Sequence, residues 1–172
     1  MSESLEKHIR AIPDFPKVGI VFRDITPALL APKVFKELCD SLYAHCKGRP
    51  IDKVAAVESR GFIFASVLAY KMGIGFIPMR KPGKLPWKTI HEKYSLEYGE
   101  AAIEMHIDAV SKGDRILIMD DLLATGGTAA AAARLVERQG GIVDELAFVI
   151  ELTALNGRSN LKGRSVYSLM QF

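Results

Sequence analysis

The sequence predicts an α/β protein in which a doubly wound, mostly parallel sheet is flanked by helices. Short apolar runs without polar alternation predict strands that are covered on both faces, as in a parallel sheet. Segments with helical patterns separate these runs, and that alternation is typical of doubly wound folds. Because 172 residues suffice for one substantial core, we interpret residues 1–172 as a single domain.

The predicted elements alternate along the chain. Strands are predicted at residues 54–57, 75–78, 116–119 and 146–150. Helices are predicted at residues 33–46, 61–72 and 128–139. The last helix has clear bounds, because it contains a run of alanines, the best helix former, and ends before Gly140 and Gly141.

Two segments depart from this alternation. About residues 1–35 are rich in proline and aromatic residues, and the prolines interrupt any long element, so we expect a small N-terminal hood. Residues 81–106 predict a long polar β-hairpin with its turn near residues 98–100. A connection of that length is commonly functional or mobile, and we expect it to act as a flexible lid.

Composition and charge argue against several classes of protein. The formal net charge of +3 is too small to indicate a nucleic-acid-binding protein. No apolar run approaches the roughly 20 residues that cross a bilayer, and residues 1–15 have no long apolar core, so we expect neither a membrane anchor nor a signal peptide. Cys39 and Cys46 would lie about 10 Å apart on one helix, too far for a disulfide. We expect a cytoplasmic protein with free thiols.

The strongest sign of function follows the third predicted strand. Ligands of open α/β sheets bind outside the carboxyl ends of the strands, and a glycine-rich turn opening onto a helix offers backbone N–H groups to an anion. The turn is neither a Walker A loop nor a dinucleotide fingerprint, and an ordinary tight turn with a threonine cap is the structural alternative. The candidate residues are Asp120, Asp121, Ala124, Thr125, Gly126, Gly127 and Thr128.

A sugar phosphate explains why two acids stand beside an anion site. Its phosphate can lie in the turn, while its hydroxyl groups face the carboxylates of Asp120 and Asp121 several ångströms away. The same carboxylates can support a Mg²⁺ ion that is held mainly by the other phosphates of the ligand. The pairing therefore predicts a ribose 5-phosphate.

Residues 116–128, ILIMDDLLATGGT, resemble the signature of the type I phosphoribosyltransferases, which exchange the pyrophosphate of 5-phosphoribosyl-1-pyrophosphate (PRPP) for a nitrogen base. Four other stretches resemble the adenine-using members of that family. The resemblance implies the type I phosphoribosyltransferase fold, purine salvage that yields AMP and pyrophosphate, Mg²⁺ as cofactor, and a homodimer. The four stretches are DFPKVGIVFRDITP (14–27), ESRGFIFA (58–65), RKPGKLP (80–86) and YSLEYG (94–99).

The resemblance also assigns roles to loop residues. It implies that Ser59 and Arg60 bind pyrophosphate, with a cis peptide bond between Glu58 and Ser59. It also implies that Lys84 and Arg80 are further pyrophosphate ligands, either within one chain or across a dimer. An arginine suits this role, because its guanidinium can donate two hydrogen bonds to phosphate oxygens.

The base-binding residues come from the hood and the lid. By the same resemblance, Val21, Phe22 and Arg23 surround adenine, with Phe22 stacked on the purine. Glu97 and Tyr98 of the lid come near the base, and Glu97 handles a proton on it. Together with Arg60, these two lid residues are the catalytic candidates.

Two other functions remain open from the sequence. A phosphoribosyltransferase for another purine base would keep residues 116–128 and change the hood. A non-catalytic ligand-binding regulator on the same fold would lose Arg60 or the lid. The C-terminal residues 155–172 are less diagnostic, and we expect them to touch no site residue and to affect only packing at the sheet edge.

Overall fold

The computed structural model describes residues 3–96 and 99–172, and the chain forms two compact units, Met1–His45 and Cys46–Phe172. In the first unit a two-stranded antiparallel sheet precedes two helices. Just before the first of these helices, the carboxylate of Asp24 accepts hydrogen bonds from the backbone N–H and the hydroxyl of Thr26. The elements are α1 Glu3–Glu6, β1 Arg10–Pro13, β2 Val21–Asp24, α2 Thr26–Leu30 and α3 Pro32–Cys46.

The second unit is built on a parallel sheet of five strands. All four predicted strands are confirmed, and each is longer than predicted. The strands of this unit are β3 Lys53–Val57, β4 Gly75–Met79, β5 Thr89–Leu96, β6 Gly99–His106, β7 Arg115–Leu123, β8 Ile142–Glu151 and β9 Val166–Gln171. The order in the five-stranded sheet is β4-β3-β7-β8-β9, with parallel pairing throughout.

Two α-helices and two short 3-10 helices accompany the sheet. The helices are α4 Arg60–Met72, α5 Gly127–Arg138, and the 3-10 helices Thr153–Leu155 and Gly157–Leu161. The three predicted helices, α3, α4 and α5, are confirmed. None of their bounds differs from the prediction by more than one residue. No helix of the described ranges, 3–96 and 99–172, is long and apolar enough to cross a membrane.

The alanine run of α5 has a packing reason. All five alanines are at most 7% exposed, which is unusual for one helix because an amphipathic helix normally leaves one face to solvent. Here α5 packs against the sheet and also contacts β5 and β6. Small side chains allow close approach on both sides, so the helix is covered on two faces.

Strands β5 and β6 form the predicted hairpin. They pair antiparallel from Thr89 with His106 to Leu96 with Gly99. Ile103 and Met105 on β6 are buried in the same core cluster as the alanines of α5, and Tyr94 packs against that cluster. The base of the hairpin is therefore part of the core rather than a free loop.

Candidate active site

A cavity of about 430 Å³ opens at the carboxyl ends of β3 and β7. Its wall includes the end of β3, the turn that leads into α4, the end of β7 and the start of α5. A volume of this order is typical of small-molecule sites. The position agrees with the rule that open α/β sheets bind ligands at this edge.

The phosphate turn, residues 124–128, forms one side of the cavity. Gly126 adopts a left-handed conformation with φ 82°, and α5 begins at the next residue. No side chain caps this helix start, so the structural alternative of a threonine cap is wrong. The first N–H groups of a helix have no partner within the helix and lie at its positive end, so this side of the cavity is chemically suited to an anion.

The two aspartates of the site have different surroundings. Asp121 is 5% exposed, and its Oδ2 lies 2.5 Å from Nε of Arg60. Asp120 accepts a hydrogen bond from the backbone N–H of Asp121 at 2.9 Å. Burial, together with the charge of Asp121, raises the pKa of Asp120 well above its ordinary value. Asp120 thus holds a proton more readily, while Arg60 balances the charge of Asp121.

Gly61 allows α4 to approach the strand that carries the aspartates. A Cβ atom at Gly61 would lie 2.8 Å from Oδ1 of Asp120 and 3.0 Å from the carbonyl oxygen of Met119. Any larger residue would push α4 away from β7. The close approach places Arg60, the first residue of α4, within reach of Asp121.

The turn before α4 carries the predicted pyrophosphate residues. The peptide bond between Glu58 and Ser59 is cis, which confirms the expectation from the resemblance. Ser59 and Arg60 both line the cavity. The side chain of Arg60 is 44% exposed, so its guanidinium is accessible to a ligand. The start of α4 favours anions for the same reason as the start of α5.

Arg80 and Lys84 do not line this cavity, whereas Lys81 does. Nε of Arg80 lies 2.6 Å from a carboxylate oxygen of Glu58, and its guanidinium also donates to the carbonyl of Lys84 at 3.0 Å. The backbone N–H of Lys81 donates to the same carboxylate. Glu58 therefore connects the turn before α4 to the loop at residues 80–89. The same contact orients the guanidinium of Arg80 toward Glu58.

Glu104 organises the rest of that loop. It is 7% exposed, and one carboxylate oxygen accepts the backbone N–H groups of Gly83 and Leu85 at 3.0 and 3.3 Å. The other oxygen accepts the hydroxyl of Thr89 at 3.1 Å. Sequence reasoning missed Glu58 and Glu104 in these roles, because an isolated acid in a polar loop looks like any solvated carboxylate.

The predicted base-binding residues lie in other parts of the chain. Val21, Phe22 and Arg23 form most of β2 in the first unit, where the rings of Phe15 and Phe22 meet edge to face at 5.2 Å. Glu97 and Tyr98 lie outside the described residues.

The expectation that residues 155–172 touch no site residue was wrong. The side-chain amide of Asn160 donates to the carbonyl of Thr125 at 2.7 Å. Gly157 packs against the carbonyl of Ala124, since a Cβ atom there would lie 2.2 Å from that oxygen. A polar segment without an apolar pattern gave no sign of this contact in the sequence.

A parallel α/β sheet with an anion turn, an acidic pair and an arginine at its carboxyl edge is the arrangement of a sugar-phosphate-binding protein. The phosphoribosyl transferase domain family matches residues 25–159. The chain belongs to the phosphoribosyl transferase family, within its adenine phosphoribosyltransferase branch.

Proteins named adenine phosphoribosyltransferase are similar to this chain in sequence and structure over nearly its whole length. The chain is 55% identical over 172 residues to the adenine phosphoribosyltransferase of Anaeromyxobacter dehalogenans strain 2CP-1, with both proteins covered completely. The crystal structure of the enzyme of that name from Thermoanaerobacter pseudethanolicus superposes with a TM-score of 0.96 at 52% identity, covering 99% of each chain. The Saccharomyces cerevisiae enzyme, complexed with an imino-altritol bisphosphate and adenine, superposes with a TM-score of 0.93 at 39% identity, covering 97% of each chain.

Proposed function

We propose that the chain transfers the 5-phosphoribosyl group of PRPP to adenine, giving AMP and pyrophosphate in purine salvage. One observation carries the proposal: a single cavity brings together the phosphate turn, the acidic pair and Arg60. These are the groups that a phosphorylated ribose with a pyrophosphate leaving group requires. Family membership and the adenine-bound yeast relative support the choice of substrates.

The phosphate turn is the proposed site of the 5-phosphate. Ala124, Thr125, Gly126, Gly127 and Thr128 offer successive backbone N–H groups at the positive end of α5. The hydroxyls of the two threonines can donate further hydrogen bonds. A phosphate bound there would leave the ribose pointing toward the ends of β3 and β7.

Asp120 and Asp121 are the proposed ligands of the ribose hydroxyls. Arg60 pairs with Asp121 in the structure and is also the proposed ligand of pyrophosphate. Binding of PRPP would exchange partners: Arg60 turns to the pyrophosphate, and the carboxylate of Asp121 accepts a ribose hydroxyl. The exchange keeps the guanidinium paired with an anion and the carboxylate hydrogen-bonded, and a buried charged group left without a partner would be costly.

The pyrophosphate site is proposed to comprise Ser59 and Arg60, with Lys81 facing the same cavity. Arg80 and Lys84 can join only if the loop at residues 80–89 rearranges, because Arg80 is held by Glu58. Their contribution is therefore proposed for the closed state with PRPP bound.

Mg²⁺ is proposed as the cofactor. Among the described residues, no group of three or more His, Cys, Asp or Glu side chains forms a metal cage. The adjacent carboxylates of Asp120 and Asp121 fit an ion whose other ligands are oxygens of PRPP and water, as Mg²⁺ prefers. Bound in that way, the ion would neutralise charge on the pyrophosphate.

Transfer should depend mainly on positioning and charge stabilisation. Pyrophosphate leaves C1 of the ribose while positive charge develops on the sugar, and groups fixed in advance lower that barrier. Arg60 would stabilise the leaving group. Asp120 and Asp121 would hold the ribose. We propose that the lid at residues 81–106, apart from the base of the hairpin, which packs in the core, closes over the centre and excludes water, which would otherwise hydrolyse the activated ribose.

Adenine is proposed to bind to Val21, Phe22 and Arg23, with Phe22 stacked on the ring and backbone groups reading its edge. Glu97 is proposed to handle a proton on the purine, and Tyr98 to lie close by. The sequence resemblance supports these assignments.

We propose a homodimer, as the resemblance implies. Tyr70 on α4 is 86% exposed, and the rings of Phe62 and Phe76 pack edge to face at 5.4 Å on α4 and β4. Phe62 and Phe76 are half-buried, and an exposed aromatic residue such as Tyr70 favours a subunit contact. A cytoplasmic location is proposed as well, since Cys46 is a buried free thiol, as is usual in reducing compartments.

A panel of bases tests the substrate. Turnover with PRPP is measured for adenine, hypoxanthine, guanine and orotate under the same conditions. We expect turnover with adenine far above that with the other three. Turnover of hypoxanthine but not adenine would instead assign the chain to another base.

A further inference from the structure

The 3-10 helix Gly157–Leu161 contacts the phosphate turn from outside the cavity. Residues of the turn line the cavity, whereas the described lining contains no residue of this 3-10 helix. The two segments are nonetheless joined by a hydrogen bond and by close backbone packing. The 3-10 helix can therefore shape the turn without touching the ligand.

Asn160 fixes one peptide group of the turn. Its side-chain amide donates to the carbonyl of Thr125 at 2.7 Å, and the peptide bond between Thr125 and Gly126 is trans. In a trans peptide the C=O and N–H bonds point in opposite directions. Holding the carbonyl of Thr125 toward Asn160 therefore directs the N–H of Gly126 away from Asn160. A donated hydrogen bond also polarises the peptide, which makes that N–H a better donor.

Gly157 and Gly126 allow the two backbones to meet. A Cβ atom at Gly157 would lie 2.2 Å from the carbonyl oxygen of Ala124, and one at Gly126 would lie 2.4 Å from the carbonyl oxygen of Gly157. A side chain at either position would separate the segments and break the hydrogen bond of Asn160. The contact thus depends on glycine on both sides.

Arg158 anchors the 3-10 helix to the sheet. Its guanidinium makes two hydrogen bonds with the carboxylate of Glu151, at 2.7 and 2.8 Å, and also donates to the carbonyl of Val166 and the hydroxyl of Ser168. Glu151 ends β8 and is 4% exposed. Such bidentate pairs are geometrically specific. The position of Asn160 is therefore set by the sheet edge.

We propose that Asn160 is a positioning residue for PRPP. It presents the N–H of Gly126 to the 5-phosphate, while Gly157 and Arg158 hold Asn160 in place. The inference rests on the proposed function, since the anion in the turn is taken to be the 5-phosphate of ribose. It assigns a role in substrate binding to the C-terminal segment, which lies far from the signature in the sequence.

Binding measurements on three variants test the proposal. Asn160→Ala removes the amide that donates to the carbonyl of Thr125, and Asn160→Asp places a hydrogen-bond acceptor against that carbonyl. Ser159→Ala is the control, because Ser159 is the exposed neighbour on the same 3-10 helix. The dissociation constants of ribose 5-phosphate and of pyrophosphate are measured by calorimetry, and Tm is recorded for each chain.

We expect Asn160→Ala to weaken ribose 5-phosphate binding about tenfold, on the scale of one hydrogen bond. Asn160→Asp should weaken it further. Pyrophosphate affinity should stay unchanged in both variants, and Ser159→Ala should match the unaltered chain. A merely structural role would lower Tm and both affinities together, and that result would overturn the proposal.

Binding of ribose 5-phosphate separates the positioning role of Asn160 from the proposed function. If the unaltered chain binds ribose 5-phosphate and Asn160→Ala binds it equally well, the positioning role is wrong and the proposed function stands. If the unaltered chain does not bind ribose 5-phosphate, the proposed function itself is contradicted, and the role of Asn160 with it.

Discussion

Nε of Arg60 lies 2.5 Å from Oδ2 of Asp121, so the proposed pyrophosphate ligand is paired with a proposed ribose ligand. The pair explains how a turn built for an anion tolerates two adjacent acids. One carboxylate is balanced by the guanidinium, and the other has a raised pKa. In the proposed complex, PRPP would supply replacement partners for both members of the pair.

Replacement of Asp121 tests this exchange of partners. Asp121→Asn keeps the size of the side chain but removes the charge that pairs with Arg60 and accepts from ribose. We expect the KM for PRPP to rise about tenfold or more, on the scale of one charge-assisted hydrogen bond. The control is Asp114→Asn, which breaks the ion pair with Lys53 away from the cavity and should leave that KM unchanged. Equal KM values in both variants would refute the role of Asp121.

The raised pKa of Asp120 gives a pH-dependent stability. Below the ordinary value of about 3.8 the carboxyl is protonated in the folded and the unfolded chain alike. Above it the folded chain holds the proton more tightly, so the free energy of unfolding falls as pH rises through the folded pKa. Asp120→Asn removes this contribution. We expect its Tm advantage over the unaltered chain to grow as the pH rises above the ordinary value of about 3.8, and to level off once the pH passes the raised pKa of the folded chain. A difference that stays constant over this range would contradict the burial of an ionisable Asp120.

Gly126 is required by both its conformation and its contact. Gly126→Ala forces a side chain into the left-handed region and against the carbonyl oxygen of Gly157. Gly163→Ala is a matched control, because Gly163 has φ 81° but no atom within 4 Å of the position that a Cβ would take. We expect the control to lose about 1–2 kcal/mol of stability and to keep its affinity for PRPP. Gly126→Ala should lose more stability and at least about tenfold in PRPP affinity. Similar behaviour of the two variants would show that the contact with Gly157 is unimportant.

Glu92 holds the hairpin against α5. Its carboxylate lies 2.6 Å from Nε of Arg134 and 2.9 Å from a guanidinium nitrogen of Arg138. Arg134 and Arg138 also lower the pKa of Glu92 by donating to its charged form. We expect Glu92→Gln to increase amide hydrogen exchange in residues 89–106, with a stability loss below about 1 kcal/mol.

Glu137→Gln is the control for the hairpin. Glu137 lies on α5, as Arg134 and Arg138 do, and the variant breaks its ion pair with Arg164 without involving the hairpin. Exchange in residues 89–106 should be unchanged by this variant. If both variants raise exchange equally, or neither does, Glu92 does not hold the hairpin.

Glu97 is the proposed proton-handling group on the lid. Glu97→Gln keeps the shape of the side chain but removes its ability to exchange a proton near neutral pH. We expect kcat to fall by about 10²-fold or more while the KM for PRPP changes little. Steady-state constants equal to those of the unaltered chain would exclude the proton role.

Much of the fold follows from local sequence patterns. The four predicted strands are continuous apolar runs, and a central parallel strand needs such a run because both of its faces are covered. The fifth strand, β9, was missed. Its sequence Val166–Gln171 mixes polar and apolar residues, and only two of its six residues are buried, so it lacks the continuous apolar run of the others.

The part of the candidate site that is formed by backbone groups could be predicted from the sequence. The phosphate turn needs glycine and a helix start, which the sequence displays directly. The placement of Arg80 and Lys84 could not be predicted, because it depends on Glu58 and Glu104, which are distant in sequence from the residues they hold. The contact of Asn160 with Thr125 joins residues 35 positions apart, and no local pattern encodes such a pairing.

The most direct test of the account is release of pyrophosphate from PRPP by the unaltered chain, measured with and without adenine and compared with the AMP formed. The account predicts that release requires adenine and matches AMP one to one. Release that is independent of adenine, or no release when adenine and PRPP are both present, would contradict it.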